Sequence, residues 1–301
     1  MDGTERIAGM TTMQPTNYHT HTLFCDGRAS METFVRFALS RRFSSLGFSS
    51  HAPLPFSTSW TMEWDFMETY LAEFRRLRER YASRIELYVG LEIDYLNDHS
   101  CPASDCYRLL PLDYRIGSVH LLYTPEGQIV DIDTSPGHFR HIVDRHFHGD
   151  LDLVIRLYYQ RLLRLVELGG FDILGHADKM HYNASCYRPG LLDEPWYDQL
   201  VRHYFAAVAR QGYLVEVNTK SYADTGTFFP NERYFQTLRQ LGVRVLVNSD
   251  AHYPDRIDAS RPEALRALWQ AGYREVMELH AGRWVACLLT APEQAIRGEQ
   301  A

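Results

Sequence analysis

The chain has no C-x-x-C pair, and its five cysteines, Cys25, Cys101, Cys106, Cys186 and Cys287, are scattered and odd in number. That speaks against a disulfide framework, so free thiols in a reducing, cytoplasmic setting are expected. No uninterrupted apolar run approaches the ~18–20 residues that a membrane span requires. Residues 1–16 carry Asp2, Glu5 and Arg6 and lack an apolar core segment, so they read as a disordered leader rather than a secretory signal. That leaves residues 17–301 for a single domain. Basic charge is not in excess: 31 Lys and Arg stand against 38 Asp and Glu, a formal charge of −7. A broad electrostatic footprint for nucleic acid is therefore absent, although a local basic pocket is compatible with this balance. No Gly-x-Gly-x-x-Gly follows the first strand, which disfavours a dinucleotide fold. No short repeat and no low-complexity linker divides the chain.

What is abundant is histidine, with 14 in 301 residues. The first two that matter stand in Asn17-Tyr18-His19-Thr20-His21, followed by Asp26-Gly27. On a short strand His19 and His21 point to the same side, and two neutral imidazoles on one side begin a metal site. Further along, strands are expected at Ser45–Ser50, Ile85–Glu92, Asp113–His120, Phe171–His176, Tyr213–Asn218 and Val243–His252. Helices are expected at about 30–39, 65–81, 151–168, 195–211, 231–241 and 261–271, from apolar periodicity and from caps such as Ser30, Gly169 and Gly212. Two irregular insertions, 94–112 and 123–150, interrupt the alternation. Seven near-continuous apolar strands alternating with helices argue for an α/β parallel barrel.

Six of the seven strands end on potential metal ligands: His19 and His21, His51, Glu92, His120, His176, and Asp250 with His252. Parallel barrels gather their chemistry at the carboxyl ends of the strands, so these eight side chains should converge on one mouth. A set of imidazoles and carboxylates without thiolate suits zinc, manganese or iron in a catalytic site. Eight ligands exceed the needs of one ion, so two or three divalent ions are implied, with Glu92 as the natural bridge. Bridged ions acidify a water and neutralise charge on phosphoryl oxygens.

These residues occur in motifs that resemble the polymerase and histidinol phosphatase (PHP) superfamily, and more narrowly its monofunctional histidinol-phosphate phosphatases. The matching segments are His19-Thr20-His21 with Asp26-Gly27, Ser50-His51, Gly90-Leu91-Glu92, Gly117-Ser118-Val119-His120, Gly175-His176-Ala177-Asp178, Glu216-Val217-Asn218-Thr219 and Asn248-Ser249-Asp250-Ala251-His252. The resemblance implies a distorted (β/α)7 TIM-like barrel with a trinuclear metal centre. It implies one ion on His19, His21, Glu92 and Asp250, a second on Glu92, His120 and His176, and a third on His51 and His252, with Asp26 where some relatives have histidine. It also implies a phosphate clamp at Lys179 and Lys220, with Asn218 as a substrate contact or a loop tie. Arg161 and Arg188 are weaker clamp candidates.

The activity so implied is hydrolysis of L-histidinol phosphate, in histidine biosynthesis, by a metal-bound hydroxide attacking phosphorus in line. Glu92, Asp250 and His252 are the expected catalytic groups, with Asp250 or a site histidine protonating the leaving oxygen. Alternatives are a phosphoesterase for a nucleotide, an oligonucleotide end or phosphotyrosine, and a metal-binding module without turnover. The expected partner is a small phosphomonoester, with neither membrane nor nucleic acid. Outside the constellation, His138, His141, His146 and His148 crowd one insertion and read as a solvated face. Tyr18, Trp60, Trp64 and Tyr222 could line an organic pocket or pack the core. Asp178 or Asp224 could meet a substrate ammonium.

Overall fold

The computed structural model describes residues 15–291. Residues 1–14, which hold most of the expected leader, and residues 292–301 lie outside it. Thr16, expected in the leader, belongs to β1 (Thr16–Asn17). The parallel strands that follow are β2 (Ser45–Phe48), β3 (Glu86–Val89), β4 (Glu92–Asp94), β5 (Ile116–Ser118), β8 (Ile173–Leu174), β9 (Leu214–Asn218) and β10 (Val245–Asn248). They form two sheets, β1-β2-β3 and β10-β9-β8-β5-β4, with registers such as Leu46↔Leu87 and Val247↔Val217.

Two parallel bridges join these sheets into a ring. His51 pairs with Glu92, and Thr20 pairs with Ala251. The second seam is carried by Ala251 N–H to the His19 carbonyl at 3.0 Å and by His21 N–H to the Ala251 carbonyl at 2.9 Å. β3 and β4 are one strand broken at Gly90-Leu91, so the ring has the seven staves expected. Only glycine fits at the break: a Cβ on Gly90 would lie 2.7 Å from both the carbonyl oxygen and a ring carbon of Tyr114. The inside of the ring is packed by Tyr18, Tyr88, Tyr114, Ile116, Ile173, Leu214 and Leu246. An antiparallel hairpin, β11 (Glu275–His280) with β12 (Arg283–Leu288), adds Met277, Leu279 and Trp284 to this cluster. It plugs the amino-terminal pole: Ala281 N–H donates to Glu86 at the start of β3, and Tyr18 Oη lies 2.8 Å from Leu279 N.

Helices cover the outside. Met31–Ser40 starts where Ser30 accepts a hydrogen bond from Thr33 N–H. Leu151–Leu168 and Pro195–Gln211 occupy the expected ranges, the first capped by Asp150 and the second opening on proline and closing at Gly212, whose φ is +75°. Met67–Tyr81 begins two residues late, after a 3-10 turn at Trp64–Phe66. The insertion 123–150 is more ordered than the sequence suggests. It holds the end of β6 (Leu121–Tyr123), β7 (Ile129–Asp131) paired with it, and a helix, Pro136–His146, that buries Phe139, Ile142 and Val143. A further helix, Met180–Tyr187, follows the His176 segment and packs on Pro136–His146.

Candidate metal centre

Most of the ligand-type residues stand just past the strand ends, where the chain bends away from the ring, and Glu92 opens β4. His176, Asp178 and Asp250 have φ of +20°, +70° and +48°. Positive φ in non-glycine residues is uncommon; at His176 and Asp250 it turns the side chain from the ring's rim into its mouth, and at Asp178 it turns the side chain beneath the mouth onto Tyr159 and Tyr197. Gly27 serves the same end at the first loop. A Cβ there would sit 2.3 Å from backbone atoms of His21 and Thr22, so the Asp26 turn can fold flat onto the histidine strand only with glycine.

All nine expected side chains meet. Glu92, 1% exposed, lies at the centre. Its Oε2 is 3.1 Å from His19 Nε2, 3.5 Å from His21 Nε2 and 3.0 Å from His51 Nδ1. Its Oε1 is 2.7 Å from His176 Nε2 and 3.5 Å from His120 Nε2. Asp250 Oδ1 is 3.1 Å from His21 Nε2 and 3.8 Å from His19 Nε2. Asp26 closes the far side, with Oδ2 3.2 Å from His252 Nε2 and Oδ1 3.9 Å from His51 Nε2.

The hydrogen-bond pattern aims lone pairs at this centre. His19 Nδ1–H donates to Glu216 Oε2 at 2.7 Å, which leaves Nε2 as the acceptor. His120 Nδ1–H is held 3.0 Å from both oxygens of Asp94, and His252 Nδ1–H donates to the Asp250 carbonyl at 3.0 Å. A carboxylate or carbonyl behind each imidazole is the usual support of a metal ligand. In front, Nε2 of His19 and His21, Nδ1 of His51, Oδ1 of Asp26 and Oε2 of Glu92 are buried without a hydrogen-bond partner. Buried polar atoms are rarely left so; His19 Nε2, His21 Nε2 and His51 Nδ1 around Glu92 Oε2, with Asp26 Oδ1 beside them, fit more than one cation. His120 Nε2 and His176 Nε2, 3.0 Å apart, fit the same reading, since only one of the two can offer a proton to the other.

Ionisation follows the surroundings. Burial, then the neighbouring His252 and His51, drives His21 well below the ordinary imidazole value. Burial also lowers His51, to about 4, so both are neutral and able to ligate. For His120 burial is outweighed by Asp94 and Glu92, which hold it up at about 10, so an ion bound there would displace the proton on Nε2. Burial would raise Glu92, but His19, His51 and His120 bring it well below the carboxylate range. Residues able to hold ions fall into overlapping groups: His21, Asp26, His51 and His252; His19, His21 and Asp250; His51, Glu92 and His120.

Lys179 and Lys220 border the mouth. Lys179 Nζ pairs with Asp133 Oδ2 at 2.5 Å, and Lys220 Nζ lies 3.2 Å from Asp250 Oδ1 and 3.5 Å from His252 Nε2. These are the chain's only two lysines. That count was the signal in the sequence that both are special, since basic residues elsewhere are all arginine. Asn218 is buried and fully engaged: its amide donates to Glu216 at 2.6 Å and Asp250 at 3.2 Å, and its oxygen accepts from Lys220 N–H at 3.0 Å. Asp178 is buried beneath the mouth, taking hydrogen bonds from Tyr159 and Tyr197. Arg161 is clasped between Tyr95 and Tyr123, and Arg188 pairs with Asp152 and Glu194, so both serve the helical layer.

Among the aromatic candidates, Trp60 stands edge-on to His51 and His120, Trp64 stacks on Tyr107, Tyr222 stacks on Phe228 and Tyr18 is inside the ring. His138, His141 and His146 ride on the helix Pro136–His146, with His138 and His141 on its exposed side. The sequence reading gave no role to Asp94, Asp133 or Glu216. Asp94 was legible as the residue two past Glu92, on the same side of a strand.

The PHP domain family matches residues 17–220. A Deinococcus radiodurans protein named as a probable histidinol-phosphatase is 25% identical over 272 residues, covering 87% of this chain and 95% of that one. The Bacillus subtilis histidinol-phosphatase is 25% identical over 260 residues, covering 80% and 94%. The crystal structure of a Lactococcus lactis histidinol phosphate phosphatase, complexed with zinc, L-histidinol and phosphate, superposes with a TM-score of 0.67 at 17% identity, covering 91% and 99%. That last likeness is one of fold.

Proposed function

The chain belongs to the PHP family, and from that premise we propose that it hydrolyses L-histidinol phosphate to L-histidinol and phosphate, as a divalent-metal-dependent phosphomonoesterase. The observation that carries the chemistry is the cluster of partnerless buried atoms in the mouth, with His19 Nε2, His21 Nε2 and His51 Nδ1 gathered within 3.5 Å of Glu92 Oε2 and Asp26 Oδ1 beside them. The names of the two sequence relatives support the choice of substrate.

His19, His21, Glu92 and Asp250 would hold one ion; Glu92, His120 and His176 a second; His51, His252 and Asp26 a third. Such ions would polarise the phosphoryl oxygens and acidify a water to act near neutral pH. Glu216 and Asp94 fix the imidazoles of His19 and His120 so that no reorganisation is needed when substrate binds. Lys179 and Lys220 bind the non-bridging oxygens as point charges. Burial works against the charge on Lys179, but Asp133 outweighs it and holds the ammonium protonated. Asn218 holds Asp250 through its amide, and the proton lost by the attacking water would reach the leaving oxygen through solvent, relayed by Asp250 or a site histidine. A cavity of about 480 Å³ opens from Asp26, Asp250 and His252 toward Asp224, Tyr253 and Asp255. It has room for an imidazole-bearing amine; Arg28, Lys220 and Arg256 also line it, so an ammonium would be met by Asp224 or Asp255, the carboxylates outside the ligand set.

A panel of phosphomonoesters assayed with purified, metal-loaded protein tests this. L-Histidinol phosphate should lead p-nitrophenyl phosphate, a nucleoside monophosphate and phosphotyrosine by at least about tenfold in kcat/KM, or ~1.4 kcal/mol. A smaller lead removes the substrate assignment and keeps the phosphatase. No hydrolysis of any of them removes both.

A further inference from the structure

At the pole opposite the mouth, the β11–β12 hairpin presents two faces. Met277, Leu279 and Trp284 fill the ring. The alternate residues Glu278 and His280 point the other way, and Cys287, cross-strand partner of Val276, joins them. Glu278 is 1% exposed, and its Oε1 is held by Arg261 Nη2 at 3.2 Å. Arg261 itself is pinned by the carbonyls of Thr16 at 3.1 Å and Val247 at 3.0 Å. This leaves Oε2 directed at His280 Nε2, 3.2 Å away, while Cys287 Sγ approaches the same nitrogen at 3.9 Å.

A nucleophilic relay would place the thiol and the carboxylate on opposite ring nitrogens. Here both face Nε2, which can offer one proton to only one of them. Three donors of different chemistry, all within 4.8 Å of one another, instead enclose a point. Bond lengths of ~2.0–2.1 Å to oxygen and nitrogen and ~2.3 Å to sulfur put tetrahedral neighbours about 3.3 Å (N···O) and 3.6 Å (N···S) apart. The measured separations are close to these.

We propose that Glu278, His280 and Cys287 form a separate, thiolate-containing site for a zinc-class divalent ion, which locks the plug of the ring. The ion displaces the thiol proton to solvent, gains one sulfur, one nitrogen and one oxygen ligand, and completes its shell with water. Arg261 stands behind Glu278 as its orienting partner. The site shares no residue with the mouth.

Cobalt(II) tests it, because the mouth's expected ligands include no thiolate. Chelator-stripped full-length protein titrated with cobalt(II) should develop a near-ultraviolet thiolate-to-cobalt charge-transfer band. The band should vanish in Cys287→Ser, weaken in His280→Ala and persist in Cys25→Ser, whose sulfur lies 3.6 Å from His21 Nδ1. Bound zinc per chain should fall by one equivalent in Cys287→Ser, with phosphatase activity unchanged. Absence of the band, its survival in Cys287→Ser or its loss in Cys25→Ser would overturn the proposal. Circular dichroism verifies that each variant is folded. Hydrolysis is not the readout, so failure of the phosphatase reading leaves this result standing.

Discussion

Glu216 is fully buried, and its oxygens collect His19 Nδ1–H at 2.7 Å, Asn218 at 2.6 Å and Asn248 at 3.1 Å. It stands behind the mouth rather than in it, and it sets the tautomer of His19. Glu216→Gln should weaken metal binding by about 10–100-fold, measured by competition with a chromogenic chelator, with KM at saturating metal little changed. Lys179 differs, because its partner Asp133 is itself anionic. Lys179→Met should lower kcat/KM by about 10–100-fold, the equivalent of ~1.5–3 kcal/mol for a charged hydrogen bond. The carboxylate left behind would also repel phosphate, so adding Asp133→Asn should recover part of the loss. A double variant as poor as the sum of the singles would show that the pair does not couple.

Between the first two long helices, Glu32 accepts from Arg36 at 2.8 Å, Arg76 at 2.9 Å and the Tyr81 hydroxyl at 3.0 Å, with Arg80 at 3.1 Å. These contacts bring its carboxyl down to about 2, Arg76 and Arg36 contributing most. A depressed folded-state value stabilises above the ordinary carboxylate range, and the gain disappears as pH falls toward 2. Glu32→Gln should therefore melt earlier than the parent at pH 7, and the gap should close on acidification and shrink in high salt. Gly90→Ala meets the Tyr114 backbone, which cannot give way, and should cost about 1–3 kcal/mol in urea unfolding. Helices such as Leu151–Leu168 and Pro195–Gln211 were legible because cap and periodicity agree. The order of 123–150 was not. Its β-pair is three residues a strand, too short to show a period, and its helix opens on Pro-Gly and carries a single apolar triplet, Phe139, Ile142 and Val143, among polar residues. The candidate ligands His51, Glu92, His120, His176 and Asp250 could be read because each closes an apolar run, whereas His19, His21 and Asp26 stand out by their spacing alone. Asp133 could not, because its contact with Lys179 joins segments 46 residues apart through the folded insertion.

At the scale of the molecule, a polar mouth tops a packed ring that a hairpin closes below. Exhaustive chelation should lower the melting temperature, and zinc or manganese should restore it, because the mouth's clustered carboxylates then regain their counter-charge. Leu279→Ala should cost about 2–5 kcal/mol by opening a cavity in the plug, with KM unaffected. The scarcity of side-chain amines has a practical corollary. Lys179 and Lys220 are 14% and 38% exposed and alone carry that group, so acylating dyes or activated beads can attach, apart from the chain's α-amine, only through the mouth. Coupling chemistry that is harmless for most proteins would silence this one, and inorganic phosphate in the coupling buffer should shield it.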